Sequence, residues 1–483
     1  MRTQLQTTRV LFDTFNKKKL TYCSWKSNEH LEHGLNGESD LDILVSERDK
    51  ELCKEILYRN NFKQLVSPSW MHYPLVEDWI GLDQETGKLI HVHLHYELPT
   101  GKKLVKEQLL PWTDKILKTR IFDDNFGVYV INPNFELITL VLRIGIKARF
   151  TKVRSKFPEN IIKEINYLRE RSKRKKVLSL CRELFGDKEG EKLANIILNI
   201  KTRISLSDFL YLKKNIQKNI AQYKRFNFLK TNLLYYYRAL KIRFFKLINK
   251  TFFQHKTKKR LYSSGIMIAF VGIDGSGKST ATDRLYNWLS VYLNVRKIYF
   301  GWNNSFVSGL KKIKKNVFKG SGKQKTSNTE STFRQGFLFY CFAIFLALSK
   351  YRKLKNAYRL RNSGNVILAD RYPTNRTSFG SSDGPMIDEK YVTNFLTRTF
   401  FTLENKIYRS IREKYDPDVV IRLNISPSEA IKRKPNHNIS DLNKKHKILN
   451  CADFGNSKVV NVDSTKDLET LLLKIKNILW KMI

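Results

Sequence analysis

Residues Gly272-Ile273-Asp274-Gly275-Ser276-Gly277-Lys278-Ser279 carry the spacing G-x-x-x-x-G-K-[ST], set between the unbroken apolar run Ile266 to Val271 and a segment with Leu285, Leu289 and Leu293 at four-residue steps. The pattern predicts a buried strand, a tight glycine-rich loop and a helix, in that order. Glycines let successive backbone N–H groups turn toward one point, and the helix directs its positive end at the same place, so the loop suits a chain of phosphates. Thr280 continues the helix start; Gly272, Asp274, Gly275, Ser276, Gly277, Lys278, Ser279 and Thr280 form the expected phosphate cradle. Lys278 is expected to reach the outer phosphates, with the Ser279 hydroxyl on Mg2+.

A chain of 483 residues exceeds one core, and two to four units are expected. With 41% hydrophobic and 12% aromatic residues it is globular rather than disordered. Cys23, Cys53, Cys181, Cys341 and Cys451 are scattered without CxxC pairing, which argues against a cysteine zinc site or a disulfide scaffold and suits a reducing cytoplasm. The first residues lack the apolar core of a secretion signal. Gly336 to Leu348 is the longest apolar run, shorter than the about 20 residues a membrane span needs, so a buried helix is expected there.

The formal charge of +44 is unevenly spread. No acidic residue lies between Asp208 and Asp274, and residues 209–260 hold fifteen Lys or Arg. Phe226, Leu229, Leu233, Tyr237, Leu240, Phe244 and Leu247 follow three- and four-residue spacing, predicting a helix with an apolar stripe beside a basic face. Such a helix either packs on its own domains as a connector or lies on an anionic membrane surface, making the protein cytoplasmic or peripheral at the membrane. No motif that reads nucleic acid is present, so a nucleic-acid partner is not expected. The expected division is 1–145, mixed α/β; 146–205, helical; 206–263, the basic amphipathic connector; and 264–483, a parallel sheet covered by helices.

Two further elements follow the loop. Asn365 to Ala369 reads as a strand that delivers Asp370-Arg371-Tyr372 at its carboxyl end, the edge where open α/β sheets bind ligands. Asp370 there can help organise Mg2+ or an acceptor, and the planar fork of Arg371 can hold two phosphate oxygens. After Asp416-Pro417-Asp418, residues Val419 to Ile425 form another strand, and Ser426-Pro427-Ser428-Glu429 reads as a capped helix start leading into Lys432-Arg433-Lys434-Pro435. Basic groups that close over a transferring phosphoryl group neutralise its charge; a solvated surface cluster is the alternative.

In order and spacing, FVGIDGSGKST, LADRY, DPDVVIRLNISPSEAIKRK and VVNVDST resemble the thymidylate kinase family of nucleoside monophosphate kinases, from Gly265 to the C-terminus. The resemblance implies a P-loop kinase fold that moves the γ-phosphate of ATP, with Mg2+, onto a nucleoside monophosphate. It implies Lys278, Asp370, Arg371 and Arg433 as catalytic residues, Ser279 and Asp370 at the metal, and Asp274 near the acceptor sugar. Some members of that family place a catalytic arginine inside the loop. Here Gly275 and Ser276 stand there, so the lid has to supply the charge, with Arg433 first and Lys432 and Lys434 behind it. The sequence departs from the family after Arg371, where Pro373-Thr374-Asn375-Arg376-Thr377-Ser378-Phe379-Gly380 and Asp383-Gly384-Pro385 replace the usual nucleobase segment, and a Lys-rich stretch from Lys311 to Lys325 replaces a proline-glycine-glycine-threonine segment.

Near the start, Gly37-Glu38-Ser39-Asp40-Leu41-Asp42-Ile43-Leu44-Val45 places two carboxylates on one face of a strand, as sharing divalent metal requires. The pattern resembles the nucleotidyltransferase fold, α+β, and the resemblance implies Mg2+ at Asp40 and Asp42 beside a triphosphate. Lys26-Ser27 keeps the serine of that family's early turn and loses its glycine. Histidine stands where the third carboxylate belongs, in His91-Val92-His93-Leu94-His95. Three imidazoles on one strand face can bind zinc or form an ordinary polar face.

The expectation is therefore a kinase that takes ATP, Mg2+ and a small phosphorylated acceptor, dTMP first, behind a nucleotidyltransferase-like domain. Two other readings stand beside it: a membrane-associated nucleotide-binding regulator without turnover, and nucleotidyl transfer by the front domain.

Overall fold

Short β-prone runs separated by turns and a few helices occupy the first 130 residues, giving a mixed α/β segment. The computed structural model describes residues 4–73, 75–147, 156–200, 202–251, 258–300, 337–373 and 384–483. It divides into two units, Met1–Tyr262 and Ser263–Ile483.

The first unit is built on β1 (Tyr22–Ser24), β2 (Leu41–Val45), β3 (Lys63–Val66), β4 (Val76–Leu82), β5 (Leu89–His95), β6 (Leu98–Thr100), β7 (Gln108–Leu110), β8 (Ile121–Asp123), β9 (Val128–Val130) and β10 (Arg260–Leu261). Strands β6 and β7 form a separate pair, and the rest make one mixed sheet in the order β10-β3-β4-β5-β2-β1-β9-β8. Helix Gln6–Lys17 buries Leu11, Phe12 and Phe15 against this sheet. Helices Pro133–Lys147, Glu159–Arg171, Arg174–Phe185 and Asp187–Asn199 follow, and Phe135, Ile138, Leu168, Val177 and Leu193 join them into a second core.

The basic stretch forms the long helix Phe228–Thr251, where the spacing predicts it. It docks by one side only. Phe245 stacks on Trp70 at 4.7 Å between ring centroids, and the Arg238 guanidinium donates to the Leu104 carbonyl at 2.6 Å. The side carrying Leu229, Leu233, Tyr237, Leu240 and Phe244 is turned outward, so a connector packed by that stripe is not what forms; Leu229 is 77% exposed and Leu233 72%. After residues 252–257, which lie outside the described residues, Arg260 and Leu261 pair with Val66 and Leu65 at the sheet edge.

In the second unit, β11 (Ile266–Val271), β12 (Val295–Tyr299), β13 (Val366–Asp370), β14 (Val419–Asn424) and β15 (Lys458–Asp463) form a wholly parallel sheet ordered β12-β13-β11-β14-β15. The architecture is α/β, a mixed sheet in one unit and a parallel sheet flanked by helices in the other. Every residue of β11 and of β13 is buried, which is why both read as continuous apolar runs rather than as alternation. Leu285 and Leu289 bury the helix that follows the loop, which ends at Leu289, and Leu293 is buried just beyond it. Helix Phe337–Asn362 covers the apolar run whose first residue, Gly336, lies outside the described residues. It is not buried all round. Tyr340, Ala343, Ala347, Leu354 and Ala357 face the core at helical spacing, while Phe337, Phe345 and Leu348 are exposed. Among the described residues no helix is long and apolar enough to cross a membrane.

Candidate functional site

Strand β11 ends at Val271, and the backbone then makes three left-handed steps, at Gly272 (φ 157°), Gly275 (φ 90°) and Gly277 (φ 87°). Gly275 has a second constraint: a Cβ there would lie 2.7 Å from the Ala430 carbonyl oxygen. Gly277 caps helix Lys278–Leu289, so the loop and the positive helix end converge as the sequence predicts. Lys278, 7% exposed, folds its ammonium over the loop and donates to the carbonyls of Gly272 and Ile273, each at 2.8 Å.

The parallel register sets Phe270 of β11 beside Asp370 of β13, which brings the carboxyl ends of two strands together at the loop. Ser279 donates its hydroxyl to Asp370 Oδ2 at 2.8 Å. Asp370 is 3% exposed, and its other oxygen, Oδ1, has no hydrogen-bond partner among the described residues. A buried carboxylate oxygen without a donor is costly. A hard cation that takes oxygen ligands resolves that cost, and Ser279 Oγ and Asp370 Oδ1 are donors of the kind Mg2+ accepts.

Arg371 adopts φ 71°, a left-handed conformation rare outside glycine. Its guanidinium meets Asp274 Oδ1 at 2.8 Å, and Lys445 holds Asp274 Oδ2 at 2.7 Å. Burial raises the Asp274 pKa, but the Lys445 hydrogen bond and the Arg371 charge outweigh it and hold the carboxyl well below the usual range. Asp274 is therefore a fixed anion and a weak base.

A cavity of about 490 Å3 opens over the loop from Asp274 to Thr280, and Arg371, Arg433, Lys434 and Lys466 line it. Arg433 is tied to the Ser464 carbonyl at 2.8 Å, whereas Lys432 pairs with Glu429 and points to solvent. A second cavity, about 550 Å3, lies at the opposite, amino end of the strands around Gly265, Ile266 and Asp418. It lacks the glycine loop and is remote from Lys278, so the loop cavity is the one equipped for phosphate. Two basic residues of the site carry no motif that announces them: Lys445, in helix Ile439–Asn450, which holds Asp274, and Lys466, just past β15, which lines the cavity. The only signal for Lys445 was its place in a basic helix soon after Lys432-Arg433-Lys434. Residues 374–383, which carry most of the departure after Arg371, and the stretch Lys311 to Lys325 lie outside the described residues.

In the first unit, Asp40 and Asp42 share one face, as predicted, and Asp42 lies in register with His93 of β5, which lies in register with Asp78 of β4. Asp42 Oδ1 is engaged by Lys26 at 2.8 Å, His95 Nε2 at 3.1 Å and His93 Nδ1 at 3.3 Å. His91 Nδ1 lies 2.6 Å from Asp40. Lys259 Nζ lies 2.8 Å from Asp78 Oδ1 and 2.9 Å from His91 Nε2. Burial lowers the His93 pKa, but Asp42 and Asp78 on either side raise it to about 9. Asp78 and Lys259 were missed, because they enter from 38 residues after Asp40 in one case and from beyond the basic helix in the other. These donors do not suit the Mg2+ that the nucleotidyltransferase resemblance implies. Mg2+ prefers an octahedron of oxygens, and here imidazole nitrogen stands at the third position and a lysine occupies the principal carboxylate.

No protein-family model matches the chain. Over 211 residues, 41% of this chain and 80% of the relative, it is 29% identical to the uncharacterized ATP-binding protein YghR of Escherichia coli (strain K12). Over 218 residues, 43% of this chain and 89% of the relative, it is 26% identical to the uncharacterized ATP-binding protein YghS of the same strain.

Proposed function

We propose that the second unit binds ATP with Mg2+ and transfers its γ-phosphoryl group to a small phosphorylated acceptor, a nucleoside monophosphate of which dTMP is the first candidate. The observation that carries this reading is Asp370: buried at the carboxyl end of a central strand, bonded to the hydroxyl of Ser279 and left with one oxygen that has no hydrogen-bond partner among the described residues. The names of the E. coli relatives support ATP as the nucleotide, and the motif order shared with thymidylate kinases supports the kinase chemistry.

In this reading the loop N–H groups and Lys278 hold the phosphate chain, and Ser279 and Asp370 hold Mg2+, which supplies charge neutralisation. Arg371 and Arg433 face the transferring group from two sides of the cavity, where fixed positive charge lowers the barrier in a water-poor site. The bond from the γ-phosphorus to the ADP oxygen breaks as a bond to an acceptor oxygen forms. A phosphate acceptor is already anionic and loses no proton. A hydroxyl acceptor needs a base, and Asp274, the one carboxylate among the described residues that line the cavity, is held ionised by Arg371 and Lys445 and takes a proton poorly. That favours a phosphorylated acceptor.

ADP release by the purified full chain with ATP and Mg2+, across nucleoside monophosphates, sugar phosphates and unphosphorylated sugars, tests the reading. Turnover with a phosphorylated acceptor, dTMP before others, is expected. Turnover confined to unphosphorylated acceptors removes the acceptor class, and none with any acceptor removes the kinase.

A further inference from the structure

The sheet face of the first unit carries a cluster that the kinase reading does not use. His91, His93 and His95 alternate along β5 and project to one side, with Asp42 alongside from β2, Asp40 just before that strand, and Asp78 from β4. The imidazoles are consistently oriented. Nδ1 of His91 lies 2.6 Å from Asp40, and Nδ1 of His93 lies between Asp42, at 3.3 Å, and Asp40, at 3.9 Å, while their Nε2 atoms lie 3.6 and 3.2 Å from Asp78 Oδ1. One ligand atom from each of Asp40, His91 and His93 lies within 4.8 Å of the others.

We propose that Asp40, His91 and His93 bind a divalent transition metal ion, zinc before others, through one carboxylate oxygen and two Nδ1 atoms, with Asp78 as the outer carboxylate that orients the His93 ring. Two imidazoles and a carboxylate are a set that zinc and its neighbours take readily and Mg2+ does not. A ligating histidine characteristically gives its far N–H to a carboxylate, and Asp78, 3.2 Å from His93 Nε2, is placed to receive it from that ring. His91 is 2% exposed and so fixed in place, whereas the Asp40 side chain is 44% exposed, which leaves the ion a way in and an open coordination position. Lys259 now stands against Asp78 and His91 as a monovalent cation on a flexible stem; a divalent ion competes with it for the same negative charge.

The test is Co2+ titration of the metal-stripped full chain, read by visible absorption and by metal content after desalting, with Zn2+ in competition. About one ion per chain is expected, in a four- or five-coordinate spectrum that Zn2+ abolishes and millimolar Mg2+ does not. His93→Ala and Asp40→Asn lose it, Asp78→Asn weakens affinity by about 10- to 100-fold, and Lys278→Ala leaves it unchanged. Asp40→Asn, at an exposed position, guards against loss through misfolding, and circular dichroism confirms the fold of each variant. An absent spectrum in folded wild type, displacement by Mg2+, or undiminished binding in His93→Ala overturns the proposal.

A separate observation carries a second inference. On helix Phe228–Thr251, Leu229, Leu233, Tyr236, Leu240 and Phe244 recur at three- and four-residue steps, each between 58% and 77% exposed. Exposed Lys230 borders one side of this stripe and exposed Arg243 and Lys246 the other, with no acidic residue from 209 to 273. An apolar stripe between basic rims matches the boundary of an anionic bilayer, where the rings and leucines enter the acyl layer and the basic groups meet headgroup phosphates.

We infer that this helix docks the protein on an anionic lipid surface. In sedimentation at constant salt, the full chain is expected to bind phosphatidylglycerol-containing vesicles and not pure phosphatidylcholine. Leu233→Asp with Leu240→Asp abolishes binding, and each of Lys230→Ala, Arg243→Ala and Lys246→Ala weakens it by about fivefold. Equal binding to both vesicles, binding untouched by the leucine changes, or binding to single-stranded RNA with none to vesicles overturns it.

Discussion

Replacement of Lys278 by alanine is expected to lower ATP-dependent phosphoryl transfer by about 10²- to 10³-fold, the usual cost of losing one preorganised donor aimed at developing charge. The lysine is the only side-chain cation built into the loop itself, and its buried ammonium is already directed along the loop carbonyls. Arginine at the same position keeps the charge but not the compact geometry, and recovers little. Alanine also leaves the Gly272 and Ile273 carbonyls without this donor, so thermal unfolding has to accompany the kinetics. A folded Lys278→Ala chain that keeps its rate removes the loop from the chemistry. If nucleotidyl transfer by the front domain were the activity, the rate would survive Lys278→Ala and vanish with Asp40→Ala.

The second large effect is expected at Asp370. Asparagine conserves its volume, and its carbonyl can still accept the Ser279 hydroxyl, so the strand and loop keep their relation. What disappears is the negative charge and the second carboxylate oxygen. Initial rates against MgCl2 are expected to show a maximal rate lower by about 10²-fold or more, with saturation displaced to higher Mg2+, since a metal clamp contributes several kcal/mol to such a transfer. Nucleotide binding measured without Mg2+ is expected to change little, because the loop N–H groups and Lys278 are untouched. An unaltered Mg2+ dependence would place the cation elsewhere.

These two residues illustrate what could be read locally. The strand Ile266–Val271, the Ser426 cap whose hydroxyl oxygen accepts from the Glu429 N–H, and the strand ending at Asp370 lie where their sequence signals place them. Each is a short-range consequence of side-chain shape and backbone hydrogen bonding, carried within about ten residues of chain. Lys445 could not be reached that way. It meets Asp274 across 171 residues, and no feature of the intervening chain announces the meeting. The same holds for Asp78, which joins Asp42 and His93 only because β4 and β5 pair in one particular register; a slip of one residue would turn it to the other face.

The amphipathic spacing of residues 226–247 was equally legible, yet it could not say which side of the helix is covered. Burial depends on what else docks, and here Phe245, Arg238 and Thr231 supply the contact face while the regular leucine stripe faces outward. By itself, then, the sequence determined the glycine loop, the strands around it and the chemistry those residues can offer, because these follow from local backbone preferences. Only the tertiary structure decided that Arg371 and Lys445 pin Asp274, that one Asp370 oxygen has no hydrogen-bond partner among the described residues, and that imidazoles share a face with three carboxylates. Those are matters of long-range register and packing, in which residues remote along the chain become each other's electrostatic environment.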